Sequence, residues 1–315
     1  MQTVSQVLSH GRTELAKVIV GQEDLINQCL LTILCGGHAL LEGVPGIAKT
    51  LVIKTFARLF DLEFRRVQCT SDLMPADIIG SNVLNLSTST FSLHHGPLFT
   101  DLLLADEVNR MPPRTQAAVL EAMEERQITI DGTTHPLSQF FTVFATQNPI
   151  EFEGTYPLPE AQLDRFLLKI KVTYPDAEQE ISILQQHHQG FDPHNLQAAH
   201  ITALSTDVLA QARAEIRSVK VEPALFRYMV EIIRRTRNWP SLALGASPRA
   251  AISLMQVAKA SAGLEGRDFL IPDDVKSSAL PVLRHRVMMK PEAELEGLDS
   301  DRVLTEIINS VEVPK

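Results

Sequence analysis

The segment LLEGVPGIAKT, residues 40–50, combines residue types that bind phosphate groups. Gly43 and Gly46 lack side chains where a backbone must turn or approach an anion closely. Lys49 supplies a cation, and the hydroxyl of Thr50 suits Mg²⁺ as a ligand. The spacing follows the phosphate-loop pattern G-x-x-x-x-G-K-[ST], in which backbone N–H groups and a helix N-terminus face the anion. We therefore predict a phosphate-binding loop here.

One position departs from that pattern, because Ala48 stands where the second glycine is expected. Alanine can replace glycine there if its φ is negative, since a Cβ atom is penalised mainly in the left-handed region. The alternative interpretation is an ordinary glycine- and proline-containing loop before a helix. The apolar strand before the loop and the helical segment after it favour the phosphate loop, and the methyl group of Ala48 does not exclude it.

Polar side chains follow two further apolar strands. Asp106 and Glu107 come after the run LLLA, and Asn148 follows FFTVFATQ. One acid can hold the water shell of Mg²⁺, the next can activate a water molecule, and the amide can bridge that water and a phosphate. The alternatives are two acids favoured by a helix dipole and an asparagine that ends a strand before a proline.

The first half of the chain alternates strand and helix signals, which predicts an α/β fold with a parallel sheet of about five strands. The predicted strands are HALLEG, EFRRVQC, LLLA, FFTVFATQNP and RFLLKIKV. Two further segments predict hairpins, one turning at residues 87–89 and one at Asp131-Gly132. They interrupt the alternation without belonging to the main sheet.

After Tyr174-Pro175 the pattern is helical. The helices are expected near residues 176–188, 198–214, 222–237, 248–263 and 272–284. We predict two domains, an α/β nucleotide-binding core of residues 1–174 and an all-α lid of residues 175–315.

Net charge, apolar stretches and cysteine content make some classes of protein function less favoured than others. The formal net charge of −9 disfavours a nucleic-acid partner, although a local basic groove could still exist. No uninterrupted apolar stretch or signal peptide is evident, so we expect a cytoplasmic protein with no membrane span. Three cysteines without a C-x-x-C pair are expected to be core residues in a reducing compartment.

The order of the motifs GVPGIAKT, LLLADE, FATQNP, LPEAQLDRF and GASPRA resembles the AAA+ ATPases, and specifically the MoxR family of the branch with an extra hairpin in helix 2. The resemblance runs from VIVGQ at residues 18–22 through the helical lid. It implies an AAA+ P-loop core, ATP and Mg²⁺ as cofactors, and ATP hydrolysis.

The resemblance also implies residue roles. Lys49 and Thr50 would be the Walker A pair, Asp106 and Glu107 the Walker B pair, and Asn148 sensor 1. Thr50 and Asp106 would hold Mg²⁺. The implied nucleotide contacts are Val20, Gly21 and Gln22 at adenine, and Gly43, Val44, Pro45, Gly46, Ile47, Ala48, Lys49, Thr50, Leu51, Asp106 and Arg249 along the rest of the molecule.

Two arginines complete the implied set. Arg165 would be the arginine finger that reaches a neighbouring subunit, and Arg249 would be sensor 2. A guanidinium stabilises the charge that develops on a transferred phosphoryl group. Arg110 and Arg114 are rival fingers, and a surface ion pair with Asp164 or Glu160 is the structural alternative for Arg165.

Three functions stay open at this point. The first is a remodelling or chaperone-like ATPase in a hexameric ring, which family resemblance pairs with a von Willebrand factor A (VWA) domain protein and an unknown protein client. The second is a DNA-acting motor similar to the MCM helicases. The third is a non-hydrolysing ATP-binding scaffold. Glu107 favours hydrolysis, and the lack of lysine or arginine in IDGTTHP disfavours a grip on DNA.

Overall fold

The computed structural model describes residues 1–44, 46–87, 89–148, 154–193 and 195–314. Pro45, one of the predicted nucleotide contacts, lies outside the described residues. Within them the first part of the chain contains, in order, α1 (Gln2–Leu15), α2 (Glu23–Cys35), β1 (Ala39–Glu42), α3 (Lys49–Leu59), β2 (Phe64–Gln68), α4 (Pro75–Ile79), β3 (Gly80–Asn85), β4 (Thr90–His95), β5 (Leu102–Asp106), α5 (Pro113–Glu125), β6 (Gln127–Ile130), β7 (Thr133–Pro136), β8 (Thr142–Gln147), α6 (Glu160–Leu163) and β9 (Leu168–Lys171).

The later part of the chain is mainly helical, as the sequence predicts. Its elements are α7 (Ala177–His188), α8 (Thr206–Arg217), α9 (Pro223–Arg237), β10 (Leu242–Leu244), α10 (Pro248–Leu264), α11 (Pro272–Leu283), β11 (Met288–Met289), α12 (Pro291–Leu295) and α13 (Ser300–Ser310). The short antiparallel pair β10–β11 is an addition to the predicted helices. Helix α8 begins at Thr206, later than the expected start near residue 198.

The main sheet has the strand order β2-β5-β8-β1-β9. The pairs β2/β5, β5/β8 and β1/β8 are parallel, which confirms the predicted α/β class. Strand β5 is buried along Leu102–Ala105, as expected for a parallel strand with both faces covered. Because β5, β8 and β1 are neighbours, their carboxyl ends lie side by side at one edge of the sheet.

The strands of both predicted hairpins are present, and Thr88, in the predicted turn at residues 87–89, lies outside the described residues. Strands β3 and β4 pair antiparallel from Gly80↔His95 to Asn85↔Thr90. Strands β6 and β7 are joined by Asp131 and Gly132, whose φ angles of 48° and 81° are the left-handed values that a two-residue hairpin turn requires.

The chain divides into two compact units. We call the one formed by Gly11–Leu158 and Ile170–Thr206 the sheet unit. The other, formed by Met1–His10, Pro159–Lys169 and Asp207–Lys315, is the helical unit. The division into a core of residues 1–174 and a lid of residues 175–315 stays a prediction.

Each unit has an apolar core. In the sheet unit, Phe56, Phe141 and Phe144 have no exposed surface. In the helical unit the same holds for Leu254, Val282 and other aliphatic side chains of α10, α11 and α13. Cys29 and Cys69 are buried and Cys35 is half-buried, all three as free thiols.

Candidate nucleotide site

The predicted phosphate loop connects β1 to α3 at the edge where the strands end. At Gly43 an added Cβ would lie 2.7 Å from the carbonyl oxygen of Val172, so only glycine fits. Gly46 has a φ of 83°, a left-handed value that also favours glycine. Both positions therefore favour glycine for backbone reasons, Gly43 through close packing and Gly46 through its turn, and their contact with an anion stays a prediction.

Ala48 does not meet the condition of a negative φ. It precedes α3 with φ 60° and ψ 14°, a left-handed conformation. The left-handed region costs an L-residue about 1–2 kcal/mol, which explains why glycine is usual at this position. Such a strained conformation persists when the surrounding structure holds the residue in place.

Lys49 begins α3 and points back over the loop. Its Nζ atom donates to the carbonyl oxygens of Gly43, at 2.5 Å, and Val44, at 3.2 Å. Burial lowers the pKa of Lys49, while the negative charges of Asp106 and Glu107 raise it. The Lys49 ammonium group therefore interacts electrostatically with Asp106 and Glu107, the two acids that the sequence analysis assigns to the same site.

Asp106 ends β5 and is held by side chains from both neighbouring strands. Thr146 of β8 donates its hydroxyl to Asp106 Oδ1 at 2.6 Å. Arg66 of β2 forms an ion pair with Asp106 Oδ2 at 2.7 Å. The carboxylate is therefore fixed at the carboxyl end of the sheet, among polar groups.

Glu107 adopts a left-handed conformation, with φ 59° and ψ 53°. Its N–H donates to Thr146 Oγ1 at 2.8 Å, and its Oε2 accepts from Gln68 Nε2 at 3.2 Å. Arg110 Nε lies 2.9 Å from the same oxygen. A non-glycine residue strained in this way is typical of functional sites.

A cleft of about 510 Å³ joins these groups. It is lined by the loop and the start of α3 (Gly46, Ile47, Ala48, Lys49, Thr50, Leu51), by Arg66 and Gln68 of β2, and by Asp106, Glu107, Thr146, Asn148 and Pro193. Asn148 directly follows β8 and is buried. The structure thus brings together the predicted Walker A, Walker B and sensor 1 residues.

The predicted adenine contacts lie beside a second cleft of the sheet unit, of about 480 Å³. Val20 and Gln22 line it together with Ile47 and Leu51. Gly21 does not line this cleft, but a Cβ there would lie 2.3 Å from the Gln179 side chain. The remaining wall comes from the segment around Tyr174 and from α7, including Ile183, Leu184 and His187.

The residues present fit Mg²⁺ and a nucleoside triphosphate. Thr50 and Asp106 offer the oxygen ligands that Mg²⁺ prefers, and both line the first cleft. At Gly46 an added Cβ would have no neighbour within 4 Å, so the loop backbone there borders open space that an anion can occupy.

Arg165 and Arg249 belong to the helical unit, and their nucleotide roles stay predictions. The proposed structural partner of Arg165, Asp164, forms its ion pair with Arg286. Among the rivals, Arg110 pairs with Glu107 of its own chain, and Arg114 is an exposed residue of α5.

Sequence reasoning missed Arg66, Gln68 and Thr146. Arg66 and Gln68 are two residues apart on β2 and share one strand face, which is a usable signal only once β2 is known to lie beside β5. Thr146 of β8 likewise lies two residues before Asn148, which directly follows that strand. The strand order, which brings β2 and β8 to either side of β5, supplies the missing information.

The fold and the cleft define a P-loop nucleotide-binding protein of the AAA ATPase class. Residues 38–168 match the ATPase family associated with various cellular activities (AAA), and residues 234–307 match the AAA lid domain. The chain belongs to the MoxR family of AAA+ ATPases, and it is an ATPase.

Named relatives support this placement. The chain is 42% identical to Chaperone MoxR1 of Mycobacterium tuberculosis, over 96% of this chain and 81% of that protein. It is also 42% identical to the uncharacterized protein YeaC of Bacillus subtilis, over 95% of this chain and 92% of that protein. A crystal structure of a candidate ATPase from Cytophaga hutchinsonii superposes with a TM-score of 0.91 at 40% identity, covering 100% of this chain and 98% of that one.

A membrane-spanning helix needs about 20 apolar residues. Across the residues that the structure describes, none of the helices meets the length and hydropathy that such a span requires.

Proposed function

We propose that this protein is a Mg-ATP-dependent remodelling ATPase of the MoxR type, which works as a ring oligomer on a protein client. The observation that carries the proposal is the meeting of Lys49, Asp106, Glu107 and Asn148 in one cleft at the ends of neighbouring strands. Chemistry on a phosphoanhydride needs these groups together, because catalysis of phosphoryl transfer is mostly positioning and charge stabilisation.

Each side chain of the cleft has a proposed task. Lys49 binds the outer phosphates, and Thr50 and Asp106 bind Mg²⁺. When bound, Mg²⁺ neutralises phosphate oxygens and stabilises the charge that develops in the reaction. Glu107 accepts a proton from the attacking water, and the Asn148 amide orients that water.

We place the adenosine part of ATP in the second cleft. Val20, Ile47 and Leu51 offer apolar contacts for a base, and the volume of about 480 Å³ is in the range of small-molecule sites. The Gln22 side chain donates to the carbonyl oxygen of Thr173 at 3.0 Å, which joins the two chain segments at the cleft entrance.

Arg165 is our candidate for the finger supplied to a neighbouring subunit, and Arg249 for the residue that senses the γ-phosphate. Arg110 stays a rival to Arg165, and it forms an ion pair with Glu107 of its own chain. Arg114 stays a rival. A hexameric ring, a VWA-domain partner and a cytoplasmic location are parts of the proposal that rest on family resemblance.

The hairpins support a protein client over DNA. The β3–β4 hairpin spans residues 80–95 and contains no lysine, arginine, aspartate or glutamate. Its exposed side chains include Leu86, at 85% exposure, and Phe91, at 71%. A strand that grips DNA needs cations for the phosphates, whereas uncharged apolar side chains suit a polypeptide.

The test of hydrolysis is Glu107→Gln. We expect ATP binding to be retained and turnover to fall by roughly 10²- to 10⁴-fold, the range for losing a general base. Glu121→Gln, on the exposed face of α5, is the matched control and should hydrolyse at the wild-type rate. Equal rates for the Glu107 variant and wild type would remove Glu107 from catalysis, and inactive wild-type protein would overturn the proposal.

The ring is tested separately by mixing variants. Arg165→Ala keeps its nucleotide cleft and Lys49→Ala keeps its finger, so mixed rings should regain activity that neither variant has alone. No recovery in rings shown by mass to contain both chains would reject a finger that acts between subunits. Affinity capture with the ATP-trapped Glu107→Gln protein should then retain the client or the VWA partner.

A further inference from the structure

In the helical unit, one buried guanidinium holds the segment that contains Arg165. The side chain of Arg286 is 2% exposed. It donates to the carbonyl oxygens of Asp164, at 3.1 Å, Phe166, at 2.6 Å, and Leu167, at 3.1 Å. The backbone on both sides of Arg165 is therefore bound to a single side chain.

Asp164 extends this connection to α10. Its Oδ1 pairs with Arg286 Nε at 2.7 Å, and its Oδ2 accepts the hydroxyl of Ser247 at 3.0 Å. Ser247 is the N-cap residue of α10, where serine usually accepts a backbone N–H of its own helix, but here it caps none. Its hydroxyl instead donates to Asp164. Ser247 itself lies two residues before Arg249 in the chain.

The charges of Asp164 and Arg249 both act on the pKa of Arg286. Burial lowers the pKa of Arg286, the carboxylate of Asp164 raises it, and the positive charge of Arg249 lowers it. Arg249 thus lies within electrostatic reach of the guanidinium that binds the Arg165 segment. Asp164 supplies the negative charge that offsets the burial of the Arg286 guanidinium.

We propose that Asp164 and Arg286 are positioning residues for ATP hydrolysis, which fix the Arg165 segment to the start of α10 so that Arg165 and Arg249 are held in one body. This inference rests on the proposed roles of those two arginines. A change at the nucleotide that moves Arg249 would then move Arg165 with it. Nucleotide sensing in one subunit would thereby set the position of the finger offered to the next.

A double-mutant cycle tests this. Asp164→Asn keeps the shape of the side chain and removes its charge, and a displaced finger should lower kcat by roughly 10- to 100-fold. If Asp164 acts through Arg165, then Asp164→Asn should cause no further loss in an Arg165→Ala background, measured under single-turnover conditions. A merely structural loss would multiply with that of Arg165→Ala.

Asp274→Asn is the matched control. Asp274 is a buried carboxylate of the same unit that pairs with Arg267 at 2.5 Å, so its loss also leaves an arginine without its anion. It should lower the melting temperature and leave kcat of the folded enzyme unchanged. If Asp164→Asn does not fold, Ser247→Ala, which removes only the hydroxyl, replaces it in the cycle with a smaller expected loss of kcat.

The outcomes distinguish a failure of the positioning role from a failure of the ATPase function. Wild-type kcat in the Asp164 or Ser247 variant, or losses that multiply with that of Arg165→Ala, would overturn the positioning role and leave the ATPase function standing. A wild-type protein that does not hydrolyse ATP would overturn the proposed function, and the positioning role with it.

Discussion

Arg66 Nη2 lies 2.7 Å from Oδ2 of Asp106, the carboxylate proposed to hold Mg²⁺. The two charges come from neighbouring strands, Arg66 from the middle of β2 and Asp106 from the carboxyl end of β5. A guanidinium and a divalent cation compete for the same oxygen atoms. Arg66 is therefore expected to tune the Mg²⁺ requirement of the enzyme.

We predict that Arg66→Ala lowers the Mg²⁺ concentration needed for half-maximal ATPase activity. The Arg66 side chain is 48% exposed, and such pairs contribute about 0–1 kcal/mol, so the shift should be at most about fivefold. The measurement is a Mg²⁺ titration at saturating ATP.

Arg65→Ala is the control for this titration. Arg65 points to the face of β2 opposite to that of Arg66, and it pairs with Glu63 and not with Asp106. It should leave the Mg²⁺ requirement unchanged. A higher Mg²⁺ requirement for Arg66→Ala would indicate that Arg66 assists nucleotide binding, contrary to our expectation.

We predict that Ala48→Gly stabilises the protein. Ala48 has a φ of 60°, and glycine removes the left-handed penalty while adding flexibility to the unfolded chain, which leaves a net gain of about 0.5–1 kcal/mol. The free energy of unfolding in urea, without nucleotide, measures the effect. Ala117→Gly, on the exposed face of α5, should instead destabilise by about 1 kcal/mol. A destabilised Ala48→Gly protein would contradict the assigned backbone strain.

We predict a pH-dependent contribution from Glu215 in the helical unit. Burial raises the pKa of Glu215, but hydrogen bonds from the Thr3 hydroxyl and the Val4 N–H outweigh it and lower the pKa to about 2. Because the folded pKa is below the unfolded value, this stabilisation is present above about pH 4.5 and is lost as the pH falls toward 2.

The check compares wild type with Glu215→Gln. The variant should have a lower free energy of unfolding at pH 6, and the difference should shrink steadily between pH 4.5 and pH 2. Glu231→Gln removes a carboxylate from an exposed pair with Arg235 on α9 and serves as the control. A difference between wild type and Glu215→Gln that stays constant with pH would show that the lost hydrogen-bond geometry, and not the charge, matters.

Much of the site was predictable because its signals are local. The glycines, Lys49 and Thr50 are neighbours in sequence, and Asp106 and Asn148 each follow an apolar strand directly. The starts of α9, α10 and α11 were also predictable, because each of these helices has a proline in its first turn. Parallel strands with crossover helices bring their carboxyl ends to one edge, so the order of motifs already implied that these residues meet.

Other features were not predictable in this way. The sequence left the sign of φ at Ala48 open, because backbone angles in a tight loop depend on how the flanking strand and helix are packed. Arg66 was missed because its partner, Asp106, is 40 residues away along the chain. Arg286 has no motif that marks it as the residue that binds the Arg165 segment, 120 residues before it.

The sequence by itself determined the phosphate loop, the acids and amide that follow the strands, the α/β class and the family. These are encoded in short runs whose hydrophobic period, glycines and charges act through neighbours in the chain. Only the tertiary structure decided which cations face Asp106, that Ala48 is left-handed, and that Asp164 joins Arg286 to Ser247. Each of these depends on segments far apart in sequence that approach each other only when the apolar core of their unit has packed.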